Sequence, residues 1–195
     1  MDIGILIYDG VELLDFAGPY EVFFTASRLE ERRGFPKSFT VFTIGKKPFI
    51  RVRGGLCVQP DRLISEISHL DMMIVPGGVI DDVLGCSELM AFIARIDKTT
   101  QITASVCTGS LILSKLGLLE GLKCTTHWED LECLAQNPNL VVLKEMDFVE
   151  DSKYITSGGI ASGISMSLYL VKKTLSPEFA ILTAKQMEYP YTEKD

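Results

Sequence analysis

Cys107 stands where a β-branched run stops and a helical pattern starts, in ITASVCTGSLILSKLG. Ile102 to Val106 reads as a buried strand and Ser110 to Leu116 as a helix, with Gly117 at its C-cap. A side chain at that junction is held on a tight turn at the carboxyl end of a sheet strand, where open α/β sheets form their ligand crevices. The following helix points free N–H groups and a positive dipole end at the sulfur, which favours thiolate. Its first turns carry no Asp or Glu to oppose that effect. The geometry matches a nucleophile elbow with Cys in place of Ser. Free cysteines are mostly inert core filler, and Cys57, Cys86, Cys124 and Cys133 are read that way or as surface. Position, not residue type, separates Cys107 from them.

A thiolate nucleophile needs a lowered pKa, a proton donor or acceptor, and N–H groups for developing negative charge. Asp15 lies in LLDFAGPYE, in the loop after the first strand, flanked by Leu14 and Phe16. Partial burial there would raise its pKa and let it deliver a proton to an intermediate. The alternative is an N-cap or turn acceptor for a helix starting near Gly18. Gly77 and Gly78 could present N–H groups toward the sulfur, or simply form a turn. Thr108 could bond a substrate or Asp15 through its hydroxyl, or cap the helix. Gly158, Gly159 and Ile160 precede a long helix and could let backbone approach the same pocket. His127, in TTHW, is the one imidazole candidate for a Cys–His pair, against the alternative of a structural hydrogen-bonder; His69 sits in a peripheral helix.

The elements that must hold these groups alternate along the chain. Strands are expected at Ile3 to Tyr8, Phe39 to Ile44, Met72 to Val75 and Ile102 to Val106, with late strands at Leu140 to Leu143 and Tyr154 to Thr156 and Phe148 to Ser152 between them. Helices are expected at Pro19 to Arg32, Ser87 to Asp97 (capped by Ser87), Ser110 to Leu116, Glu129 to Gln136 and Ile160 to Thr174, and from Pro177 onward. Asp9-Gly10 reads as a turn, and Pro48 to Val58 as a hairpin turned by Gly54-Gly55. Alternating strands and helices indicate a parallel sheet covered on both faces. No repeat or interdomain linker interrupts the 195 residues, so 1–195 is read as one domain.

Composition narrows the classes of function. The 47% hydrophobic and 23% charged fractions are those of a soluble globular domain. A net charge of −7 argues against a nucleic-acid partner, because phosphate binding needs clustered Lys and Arg. The basic runs Arg28 to Arg33 and Lys46 to Arg53 are interleaved with acids or hydrophobics and read as solvated surface. Met1 leads directly into a strand with no signal peptide, and no apolar run is long enough to span a bilayer, so no membrane association is expected. Five cysteines without paired spacing fit a reducing cytoplasm, and with two histidines they give no zinc spacing.

Taken together, LLDFAGPYEVF, IVPGG, ASVCTGSLILSKLGLLEG, TTHW and ITSGGIASGISMSLYLV occur in an order that resembles the ThiJ/PfpI superfamily over nearly the whole chain. The branch it is most similar to holds isonitrile hydratase and the ligand-binding-like domains of AraC-type regulators. The resemblance implies a flavodoxin-like α/β three-layer sandwich with a mostly parallel sheet and a strand–Cys–helix elbow. It implies Cys107 as nucleophile, Asp15 as acidic partner and Thr108 as active-site neighbour. It also implies that Gly78 and the Gly158-to-Ile160 loop line the pocket, and that the protein is a homodimer. Protease-like and glyoxalase-like branches usually carry His directly after the cysteine and take their acid from Glu. Thr108 and Asp15 occupy those positions here, which argues against a Cys–His hydrolase. The implied reaction is hydration of a small-molecule isonitrile to an N-substituted formamide, with no metal or organic cofactor required. Nothing after about Glu188 is left to hold a helix-turn-helix module, which argues against a DNA-binding regulator. A stand-alone redox sensor or ligand-binding protein, and a glyoxalase or deglycase, are the competing readings.

Overall fold

A computed structural model describes residues 1–191. Its seven-stranded sheet has the order β10-β11-β7-β6-β1-β2-β5. The strands are β1 (Asp2–Ile7), β2 (Thr40–Gly45), β5 (Arg62–Leu63), β6 (Met72–Val75), β7 (Ile102–Val106), β10 (Phe148–Asp151) and β11 (Tyr154–Ser157). All neighbours are parallel except β10 and β11, which form an antiparallel edge hairpin with Phe148 opposite Ser157. β6 and β7 are buried at every position, as strands covered on both faces must be. Short pairs lie outside the sheet: β3 (Ile50–Arg51) with β4 (Cys57–Val58), and β8 (Lys123–Cys124) with β9 (Val141–Val142).

Helices flank the sheet in two groups. α1 (Leu13–Arg32), α6 (Ser162–Thr174) and α7 (Pro177–Gln186) pack on one another. α2 (Asp81–Leu84), α3 (Ser87–Asp97), α4 (Gly109–Lys115) and α5 (Leu131–Leu134) follow β6, β7 and β8. The core is aliphatic, with Ile3, Ile5, Leu6, Ile7, Ile74 and Val75 fully enclosed. Among the described residues, no helix is long and apolar enough to cross a membrane.

Local boundaries differ from the sequence reading where tertiary packing overrides local signals. Helix α1 starts at Leu13, not Pro19, so Asp15 lies in its first turn rather than in a loop. Pro19 lies inside the helix, where it has no N–H for the Asp15 carbonyl and its ring is buried. Cys86, not Ser87, holds the N-cap position of α3. Glu129 to Gln136 divides into a 3₁₀ turn at Trp128–Asp130 and the single turn of α5. Leu140 to Leu143 shrinks to β9, which pairs with β8 instead of joining the sheet. His69 lies in an exposed loop beside Asp71, not in a helix.

Candidate active site

The carboxyl ends of four adjacent strands, β11, β7, β6 and β1, converge on one place. β7 delivers Cys107, β6 delivers Pro76-Gly77-Gly78, β11 delivers Gly158, and β1 leads through Tyr8 and Gly10 into α1. Cys107 has φ 54°, in the left-handed region that an L-residue enters at a cost of about 1–2 kcal/mol. The turn is over-determined, which is how such strain persists. The Cys107 N–H donates to the Gly158 carbonyl at 3.1 Å, and the Cys107 carbonyl accepts from the hydroxyls of Thr126 at 2.9 Å and Ser110 at 3.1 Å. Helix α4 can start this close to β6 because residue 109 is Gly; a Cβ there would lie 2.0 Å from the Val75 carbonyl oxygen.

Asp15 is fully buried, and its Oδ2 accepts the Gly77 N–H at 3.0 Å while Oδ1 has no hydrogen-bond partner. Burial pushes its pKa from 3.8 to about 7, against the pull of the Gly77 N–H, and the nearby Glu12 carboxylate adds to the rise. Glu12, at the helix start, is paired with Arg53 of the β3–β4 hairpin at 3.4 Å. The hairpin is fastened to the same loop by the Arg53 N–H, which donates to the Val11 carbonyl at 3.0 Å.

The sulfur departs from the sequence expectation. Burial, then the charge of Asp15, push the Cys107 thiol up to about 12, and the Thr108 N–H at the head of α4 offsets this only in part. Desolvation therefore outweighs the helix end, and the resting group is a thiol rather than a thiolate. Gly77 and Gly78 also act differently from the oxyanion-type role considered for them. The Gly77 N–H is committed to Asp15, and the Gly78 N–H to the Thr108 hydroxyl at 2.9 Å, with that hydroxyl 3.1 Å from the Gly78 carbonyl. Thr108 thus ties the elbow to the β6 loop and makes no side-chain cap bond to α4.

Cys107 opens on a cavity of about 370 Å³ with Thr108, Gly78, His127 and Ile160 in its wall. Ile160, at φ 51°, is a second left-handed residue at the site. Gly158 and Gly159 are not in that wall. Gly158 holds the Cys107 N–H, and Gly159 makes room for the His127 ring, whose Cδ2 would sit 2.0 Å from a Cβ there. His127 accepts the Glu129 N–H on Nδ1 at 3.4 Å and has the Glu129 and Asp130 carboxylates within 3.7 Å; no hydrogen bond joins it to Cys107. Apolar surface comes from Val79, Ile80 and Leu111, and charge at the rim from Glu12, Arg53, Asp81, Glu129 and Asp130. The sequence reading missed Glu12, Arg53, Tyr8 and Thr126. Only Thr126, beside His127 in TTHW, lay within a motif that had drawn notice for its chemistry.

A model of the DJ-1/PfpI family matches residues 1–173. An isonitrile hydratase of Pseudomonas putida is 30% identical over 191 residues, 97% of this chain and 78% of the relative. An HTH-type transcriptional regulator of Pseudomonas aeruginosa is 26% identical over 188 residues, which is 96% of this chain and 50% of the regulator. The crystal structure of a ThiJ/PfpI family protein from Pseudomonas syringae superposes with a TM-score of 0.85 at 26% identity, over 100% of this chain and 77% of that one.

Proposed function

The chain belongs to the DJ-1/PfpI family, and from that premise we propose that it is a cysteine-dependent hydro-lyase that adds water to an isonitrile. The observations that carry this reading are Cys107 on its strained turn at the cavity and, outside the cavity wall but close enough for its charge to act on the sulfur, Asp15, a buried carboxyl whose pKa near 7 lets it give and take a proton at neutral pH. The chemistry closes without any other group. Asp15 gives its proton to the terminal isonitrile carbon as Sγ bonds to that carbon, and the thiol proton passes to the carboxylate left behind. The product is a thioimidate, R–N=CH–S. Water then adds to the same carbon, the C–S bond breaks, and an N-substituted formamide leaves as the thiol is restored. Sharing one proton between Cys107 and Asp15 suits a resting thiol, since the sulfur loses its proton only as it attacks.

In this reading Thr108 keeps the elbow in place, and His127, Gly78 and Ile160 shape the cavity for a small substrate, while Gly158 and Gly159 support that wall from behind. A cavity of about 370 Å³ holds a small isonitrile with an apolar substituent against Val79, Ile80 and Leu111. A homodimer belongs to the same family-based reading. The test is formamide production from an aryl isonitrile by the wild type and by Cys107→Ala; turnover by the wild type alone supports the proposal, and turnover in neither rejects it. The relation to a regulator favours a second reading, a ligand-binding domain, in which Cys107→Ala binds the same small molecule unchanged. Redox sensing fits less well, because a protonated sulfur reacts slowly with peroxide.

A further inference from the structure

Tyr8, the residue after β1, is buried, and the reaction as written does not use it. Its phenol donates to the Pro76 carbonyl at 2.8 Å. That carbonyl and the Gly77 N–H belong to one peptide group, and the Gly77 N–H donates to Asp15 Oδ2 at 3.0 Å. The Pro76–Gly77 amide is therefore a link with Tyr8 bonded to one end and Asp15 to the other. A donor on an amide oxygen draws electron density toward it and makes the N–H a stronger donor, so such chains reinforce themselves in a low-dielectric interior. The same bond fixes the plane of the amide and hence the direction of the N–H.

We infer that Tyr8 is a positioning residue for Asp15, acting through the Pro76–Gly77 peptide to aim and strengthen the Gly77 hydrogen bond to the carboxyl. The inference rests on the acid role given to Asp15 above. Tyr8 does not reach substrate in this scheme, and it is absent from the wall of the Cys107 cavity. It lines instead a separate cavity of about 220 Å³ with Lys46, Lys47 and Cys86. The groups that act on Asp15 from other directions are Glu12 at the start of its own helix, Arg53 of the β3–β4 hairpin, Cys107 on the elbow, and the backbone at Ile160 ahead of α6. Tyr8 also feels the charges of Asp15 and Cys107 directly, and none of the other groups bonds to the Pro76 carbonyl, so a change at Tyr8 leaves them in place.

The test is a ¹³C NMR titration of the Asp15 carboxyl carbon in aspartate-labelled protein, assigned by the signal lost in Asp15→Asn. In Tyr8→Phe the weakened Gly77 donor favours the carboxylate less, and the midpoint moves up by roughly half a pH unit. A site-specific 3-fluorotyrosine at position 8 has the same shape and a more acidic hydroxyl, and it moves the midpoint down. Opposite shifts in the two proteins support the relay, and an unchanged midpoint in either folded protein overturns it. If Tyr8→Phe does not fold, the fluorotyrosine protein decides alone. The readout involves no isonitrile, so a failed hydratase assay and a failed relay are separate results.

Discussion

Asp15→Asn should abolish turnover and at the same time stabilise the protein at alkaline pH. The wild-type chain must keep a fully buried carboxyl whose folded pKa, about 7, lies above the 3.8 of the free group. Between those values the folded state holds a proton that the unfolded state has released, so stability falls as pH rises through that window and stays reduced above it. A rise from 3.8 to about 7 corresponds to about 4 kcal/mol, taken as an upper bound for so buried a group. Asparagine has the same shape and no charge to bury. Its amide oxygen can take the Gly77 N–H, but its NH₂ then occupies the place of the unpartnered Oδ1, at a cost of about 1–3 kcal/mol. At pH 8.5 the net gain is about 2 kcal/mol, or about 6 °C in Tm for a chain of this size. At pH 4 the gain should vanish, since both proteins then carry a neutral side chain, the acid with one unsatisfied O–H donor and the amide with two N–H donors. Urea unfolding at both pH values, alongside the formamide assay, measures this directly. A stability difference that does not change with pH would refute the assigned protonation state. Surviving turnover would refute Asp15 as the proton donor.

Two further outcomes follow from the site. Thr108→Val removes the hydroxyl that bonds both the N–H and the carbonyl of Gly78, and should cost about 2 kcal/mol in chemical denaturation; Thr108→Ser, which keeps the hydroxyl, should cost well under half of that. Equal stability of the two variants would show that the tie between elbow and β6 loop contributes nothing. Among the cysteines, alkylation with iodoacetamide at pH 8 should reach Cys86 well before Cys107 or Cys124. The Leu89 N–H and the Lys46 ammonium, 3.3 Å from its sulfur, lower the pKa of Cys86, whereas burial pushes the other two up to about 12 and about 11. Peptide mass spectrometry that finds Cys107 labelled first would contradict the burial of its sulfur as the controlling effect.

The sequence by itself determined the order of the elements and the turn that bears the nucleophile. The unbroken apolar run Met72 to Val75 and the β-branched run Ile102 to Val106 favour one place, the middle of a sheet covered on both faces, and the structure puts both there. The abrupt change at Cys107 from a β-branched run to helical spacing located the elbow to the residue, while Leu116 holds the C-cap position and Gly117, at φ 71°, makes the left-handed turn one residue beyond it. Those signals are local, carried by neighbours along the chain.

What only the tertiary structure decided were the quantities that depend on neighbours distant in sequence. Whether Asp15 caps a helix or faces the sulfur's side of the sheet turned on Gly77, 62 residues away, whose N–H claims the carboxylate. The state of the sulfur was inferred from the helix behind it, yet it is governed by enclosure from four strands' ends, a desolvation that no window of sequence contains. Arg53 reads as solvated surface because its basic run is interleaved with hydrophobics, and its side chain is indeed exposed, but only folding brings its hairpin over Glu12 at the pocket rim. Local pattern fixes which backbone a segment adopts. Dielectric surroundings and long-range hydrogen bonds fix what its side chains can do, and these exist only once the strands have come together.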